Sequence, residues 1–359
     1  MKTKYFFSHL VLVCCLFFVV GHLMPGTVWA KSKSLTLRWA EQSPPKGVRP
    51  EVVKWMGQEI EKRTQGRIKI EMHWGSSLVK RKEMLRGTMI GTCDIGTLNV
   101  AFHPSQLRTW GIFNTFMMGP SDPDVVSWVK RTCFDTIPAF NAELEKWNQK
   151  WITFFNYLPS ALSSTKPLTS IKQLKGKRMR APSAWLLAML KGVGATPVSM
   201  PWGEVYVALQ RGTIDGVLTS LDSYYRYSMD EVAKHYLYNT RQWQPQPVLI
   251  TINMDTWKRI DPKDQEIILQ TGKEANAMEN RLNQNYWDEC MNGMKKRSNA
   301  VFTEMSKAEI ETWANVPGVK NLHNKWVEDA KKAGTANAQE IMDKVKKIVN
   351  EGLAKEAGK

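Results

Sequence analysis

The chain has few of the residues that usually carry covalent or metal chemistry. It has six histidines in 359 residues. Two lie in the first thirty, and His73, His103, His235 and His323 stand far apart, with no His-x-His or His-Glu-x-x-His spacing. A metal site is therefore unsupported. No serine sits in a Gly-x-Ser-x-Gly turn, and no glycine-rich loop is present to cradle phosphate. Paired carboxylates occur at Glu59 and Glu61 and at Asp122 and Asp124, a pattern that more often marks solvated helix faces and caps. An enzyme is disfavoured, and no cofactor is implied.

Cysteine is also scarce. Of five, Cys14 and Cys15 lie near the start, leaving Cys93, Cys133 and Cys290. An odd number at wide spacing is no disulfide framework, although a Cys93–Cys133 bridge stays open in an oxidising compartment. Acidic charge is in deficit, with 34 Asp and Glu against 50 Lys and Arg, net +16. Such a balance raises nucleic acid or anionic membrane as partners. Here the lysines are interleaved with acids on amphipathic helices, as in Glu59-Ile60-Glu61-Lys62-Arg63, and nucleic acid is not expected. Beyond the first thirty residues no apolar run is long enough to span a bilayer. Internal repeats and Gly/Ser linkers are absent too.

What is present begins with an export signal. Lys2 and Lys4 precede an uncharged stretch from Tyr5 to Val20, and Val28-Trp29-Ala30 supplies small residues for cleavage. Val13 before Cys14 argues against lipidation. The expected product is an exported protein of about 329 residues starting near Lys31, long enough for two lobes with separate cores.

Leu35 to Ala40 and Ile68 to Trp74 alternate as strands, with a helical pattern between them at Val52, Val53, Met56 and Ile60. A helix over Lys80–Ile90 and a short strand over Cys93–Asn99 complete βαβαβ, the pattern of a parallel sheet. Ligands of such sheets collect beyond the carboxyl ends of the strands, which here carry Gln42, Ser43, Trp74 and Thr97 to Asn99. A second α/β unit has strands over Trp151–Tyr157, through Arg178 and Arg180, over Ile214–Leu218 and over Gln246–Met254. Everything beyond Asp261-Pro262 reads as helix, and Lys263 to Arg297 has no breaker except Gly272 and Gly293. Fifteen tryptophans are many for this length, and Trp74, Trp202 and Trp243 fall at strand ends or turns. Lys175, Lys177, Arg178 and Arg180 form a basic cluster stopped by Pro182. Strand alternation puts Arg178 and Arg180 on one side and does not choose between them.

Thr196 to Gly216, "TPVSMPWGEVYVALQRGTIDG", resembles the Pro-x-x-Glu-Val-Tyr-x-Ala-Leu-Gln-x-Gly-x-x-Asp-Gly stretch of TRAP transporter solute receptors, the DctP-type family. "LKGKRMRAP" resembles that family's Leu-x-Gly-x-Lys-x-Arg-x-Pro, and "GRIKIEMHWGSSL", "GTCDIGTLN" and "NMDTWKRIDPKDQEII" are similar to other parts of it in order and spacing. The resemblance implies an α/β, two-lobed periplasmic binding protein fold with a long helix spanning both lobes. The expected division is a signal at 1–30, lobe I from 31–157 with 246–285, and lobe II from 158–245 with 286–359.

It also implies a monomeric periplasmic receptor that hands a small organic anion to the small and large TRAP membrane subunits. A same-fold receptor feeding a membrane sensor is the alternative. The family's carboxylate-pairing arginine falls on Arg180, a pocket aromatic on Trp202 and a neighbouring donor on Ser183. Two departures matter. Thr219 stands where members commonly have asparagine, and Ser160 where binders of acidic sugars carry a second arginine. A hydroxyl donates one hydrogen bond where an amide or guanidinium donates more. The expectation is a monoanion, a carboxylate with a sulfonate as the other acid, covered by Trp202, Trp74 or Trp243 and approached by Gln42 and Asn99.

Overall fold

The alternating segments become strands of two separate sheets. The computed structural model describes residues 34–243 and 246–358; the expected export signal lies outside the described residues. In chain order the strands are β1 (Leu35–Ala40), β2 (Ile68–His73), β3 (Ile95–Asn99), β4 (Gln149–Phe155), β5 (Ser160–Ser164), β6 (Arg178–Arg180), β7 (Thr196–Val198), β8 (Gly216–Ser220), β9 (His235–Tyr238), β10 (Val248–Asn253) and β11 (Val301–Glu304). The first sheet has the order β2-β1-β3-β10-β4 and the second β11-β9-β5-β8-β6-β7.

The βαβαβ start gives the parallel β1–β3 pair. The first sheet is nevertheless mixed, because β10 runs antiparallel between β3 and β4. All six residues of β10 are buried, as a strand covered on both faces requires. The reading of everything after Asp261 as helix fails at β11, which pairs with β9 from Val301↔His235 to Glu304↔Tyr238. That edge strand has no fully buried side chain, so it leaves no alternation to read.

Each sheet has its own core. The first is centred on aromatics: Trp110 lies 4.4 Å from Phe134 and 5.1 Å from Phe140 between ring centroids. Burying such a ring contributes about 1.5–3 kcal/mol. The second sheet carries apolar clusters that include Leu162, Met179 and Leu218, and Val217, Tyr224 and Tyr236. Of 286–359, expected in the second lobe, Cys290 to Leu322 pack with the second sheet's clusters, but the residues from Trp326 onward do not. Trp326, Ile341, Met342 and Val345 belong to the first core, with Phe134 and Phe154. In the helix Ala338–Ala357 the buried residues recur at helical spacing, and a Cβ on Gly352 would lie 2.3 Å from Val129.

The sheets are joined by residues 156–159, by the segment between β9 and β10, and by the expected long helix. That helix runs Pro262–Ser298, 37 residues, or about 55 Å. Asp261 accepts a hydrogen bond from Lys263 N at 2.9 Å, Pro262 occupies its first turn, and Asn299 ends it at φ 57°. Its two glycines are packing positions, one for each lobe. Gly272 accepts a hydrogen bond from Thr153 Oγ1 of β4 at 2.7 Å, and a Cβ on Gly293 would lie 2.4 Å from the Tyr225 ring. Cys93, Cys133 and Cys290 are all free and buried.

Candidate ligand-binding site

The basic cluster resolves into different jobs. Arg178 is partly exposed and forks onto Asp215, with Nε 3.1 Å from Oδ2 and Nη2 2.9 Å from Oδ1. Its charge is satisfied, and the Asp215 carboxyl is held below its usual range by that hydrogen bond. Lys175 packs against Gly194. Arg180 differs. It is 6% exposed and lies on β6 between Val198 and Val217. Nε and Nη2 donate to the Met200 carbonyl at 3.3 and 3.2 Å, and Nη1 is buried with no partner. Burial pulls the guanidinium below its ordinary pKa, with Tyr224 acting weakly the other way. No carboxylate pairs with it among the described residues. A buried charge without a counter-charge is costly, and here it leaves an open donor for an anion.

Trp202 follows from local geometry. Pro201 precedes a 3₁₀ turn over Trp202–Glu204, and the Trp202 ring centroid lies 5.2 Å from the Arg180 guanidinium carbon. Tyr227 meets the indole edge-on at 5.4 Å, and the indole Nε1 is buried without a partner. This stack holds the guanidinium plane and supplies an apolar wall. Thr219 and Ser160 are buried on the paired strands β8 and β5, where Thr219 faces Ala161 and Ser160 faces Ser220. By register Thr219 lies on the face of Val217 and Arg180, toward the carboxyl end of β6, whereas Ser160, opposite Ser220, falls on the other face. Ser183 caps the helix Ala184–Gly192, accepting from Leu186 N at 3.3 Å. Its oxygen accepts that one bond, and its hydroxyl proton remains for a ligand.

The first lobe contributes differently. Gln42 is buried just beyond β1, where Ser76 Oγ donates to its carbonyl at 3.4 Å. Trp74 is half-buried at the end of β2. Asn99 is committed to structure: Nδ2 donates to the Tyr157 hydroxyl at 2.7 Å, and Oδ1 accepts from Ala101 N and from Gln246 Nε2. Trp243 belongs to the first core, with Nε1 donating to the Pro120 carbonyl at 2.6 Å. Its indole closes that core against Gly119.

One pair was missed from sequence. Arg49 Nη2 lies 3.7 Å from Glu41 Oε1 and donates to Ser43 Oγ. Burial works to lower the Arg49 pKa, but Glu41 and more distant anions outweigh it, so the net shift is upward. Nothing in "EQSPPKGVRPE" signals the contact, which requires the helix Val48–Arg63 to start beside the end of β1. Its consequence is electrostatic: Arg49 has its counter-charge in Glu41, whereas Arg180 has none. The described residues contain no cluster of His, Cys, Asp and Glu fit for a metal and no helix long and apolar enough to cross a membrane.

Comparison with known proteins agrees with this geometry. A solute-binding protein of Roseobacter denitrificans is 28% identical over 232 residues, covering 63% of this chain and 68% of the relative. The C4-dicarboxylate-binding periplasmic protein DctP of Rhodobacter capsulatus is 24% identical, covering 71% and 76%. A TRAP periplasmic solute-binding protein of Desulfovibrio salexigens superposes with a TM-score of 0.75 at 24% identity, covering 89% of this chain and 96% of that one. The profile of the DctP family, bacterial extracellular solute-binding protein family 7, matches residues 40–329. With two sheets, a helix in contact with both lobes and that match over most of its length, the chain belongs to the DctP family of TRAP transporter solute receptors, which bind and do not catalyse.

Proposed function

We propose that this receptor captures a small organic monoanion in the periplasm, as a monomer, and delivers it to the two TRAP membrane subunits for ion-gradient-driven uptake. The acid group, a carboxylate or a sulfonate, pairs with Arg180, and its body lies against Trp202 with Thr219 and Ser183 as hydroxyl partners. Trp74 and Gln42 approach from the first lobe. The observation that carries this reading is the buried, unpartnered Nη1 of Arg180. A guanidinium fork matches an acid group bidentately, and enclosure strengthens the pair.

One uncompensated cation favours one negative charge. Arg49 does not supply a second anchor, because Glu41 already balances it. Although the Rhodobacter relative is named for C4-dicarboxylates, this charge count favours a monoacid here. Binding drives lobe closure to the extent that the closed form holds the ligand better than the open one.

A thermal-shift screen against monocarboxylates, dicarboxylates, sugar acids and sulfonates tests the reading. A monoanion is expected to stabilise the protein by about 2.7 kcal/mol at a hundredfold excess over Kd. Preferential stabilisation by dicarboxylates would overturn the charge count.

A further inference from the structure

A cavity of about 240 Å³ lies at the hinge. Three of the chain's passages between the sheets line it: Leu158 and Pro159 from the first crossing, Thr240 and Gln242 from the second, and Asn283 and Trp287 from the long helix. None of the residues placed around Arg180 lines it. Its chemistry is also opposite. In a chain of net charge +16, no described residue lining this cavity carries a charged side chain. The walls are aromatic rings, prolines and neutral amides.

One wall residue is incomplete. Gln242 is 1% exposed, and neither its Nε2 nor its Oε1 has a hydrogen-bond partner. Its backbone is fixed on both sides: its N–H donates to Asn239 O at 2.9 Å, and its carbonyl accepts from Ser160 N at 3.3 Å. These bonds hold the backbone from which the amide projects. A buried amide with both its donor and its acceptor unmade is unfavourable. A partner offering one acceptor and one donor side by side satisfies both atoms in a two-bond ring. No charged side chain is among the residues lining the cavity, so a neutral partner suits it better than an ion.

We propose that this hinge cavity is a second binding site, for a small neutral molecule with an amide-like donor–acceptor pair on a flat apolar body. The amide pairs with Gln242, and the body lies between the aromatic walls of Trp287 and Trp243. The volume falls below the usual range for drug-sized ligands, which restricts the occupant to about one ring. Because three interlobe passages form the walls, an occupant there touches each segment that lobe movement displaces, and its affinity follows the lobe angle.

Benzamide is the probe. Titrated into the full exported chain and followed by ligand-observed NMR, it is expected to bind saturably to wild type. It should bind Arg180→Ala within about threefold of wild type and Gln242→Leu at least about tenfold more weakly. Asn283→Phe, which fills the cavity from the helix side, is expected to abolish binding and serves as the test should Gln242→Leu fail to fold. The proposal is overturned by no saturable binding to wild type up to about 10 mM. It is equally overturned by binding that survives Gln242→Leu, or by loss that follows Arg180→Ala.

Discussion

Arg180 stacks on Trp202 with 5.2 Å between guanidinium carbon and ring centroid, and it spends two of its nitrogens on one backbone carbonyl. The stack and the Met200 carbonyl orient the fork without neutralising it. A charge positioned in this way is held ready for a ligand at the expense of the empty protein.

Replacing Arg180 should therefore separate binding from stability. Arg180→Ala is expected to weaken organic-anion binding by about 2–5 kcal/mol, with no loss of melting temperature in the empty protein, since an unpaired buried charge is removed. Arg180→Lys should recover little, because an ammonium cannot fork. Calorimetric titration with melting curves of both variants checks this. Affinity within about threefold of wild type for Arg180→Ala would show the anchor to be elsewhere.

Lys130 and Glu279 meet across the hinge through Asn156. Lys130 Nζ donates to Asn156 Oδ1 at 2.7 Å, and Asn156 N donates to Glu279 Oε2 at 2.8 Å. Both charged side chains are buried. Burial pulls the lysine down to about 7 and pushes the carboxyl up to about 8. Lys130→Met and Glu279→Met are each expected to destabilise, and the double variant to regain at least about 1 kcal/mol over the sum of the two. Urea unfolding of the four proteins at one pH measures the coupling; strict additivity would mean the two groups act independently.

The strongly periodic parts of the fold were legible in sequence, and the pairings between distant segments were not. Leu35–Ala40 and Ile68–His73 declared themselves by alternation, and Asp261-Pro262 announced the long helix by its cap. β5 and β11 did not: the first is fully buried and the second is an exposed edge, so neither alternates. In the site, residues alone left Arg178 and Arg180 equal, and the family motif singled out Arg180. The structure supplies the physical difference, because Asp215 meets Arg178 and leaves Arg180 unpaired. The Trp243 indole could not be assigned from its position in a turn, since only the fold brings Gly119 and Pro120 to it.

Two imidazoles are expected to make the protein acid-sensitive. His103 and His323 each have a buried Nε2 without a partner, and burial pushes both down to about 4, with Lys346 adding to the effect at His323. An unfolded histidine titrates near about 6.5. Between those values the unfolded chain binds more protons than the folded one, so stability falls as pH drops from about 6.5 toward 4. Urea midpoints at pH 7 and pH 5, which bracket the unfolded value of about 6.5, should differ less in His103→Leu and His323→Leu than in wild type. An unchanged difference would place the acid sensitivity in other groups.

Gly119 tests the packing that fixes the second crossing. A Cβ there would lie 1.8 Å from Trp243 Cε2, closer than any side chain tolerates. The ring has little room to yield, because Trp243 is buried and its Nε1 is bonded to Pro120 O at 2.6 Å. The Gly119 N–H also donates to the Arg241 carbonyl at 3.2 Å, tying the same two segments through their backbones. Gly119→Ala must therefore displace the indole and strain or break its hydrogen bond. Overpacking costs about 1–3 kcal/mol and a buried hydrogen bond about 1 more, so a loss of about 2–4 kcal/mol is expected by urea unfolding. Trp243→Leu in the Gly119→Ala background relieves the clash and should cost less than the sum of the two single changes. Additive losses would mean that the glycine and the indole do not constrain each other.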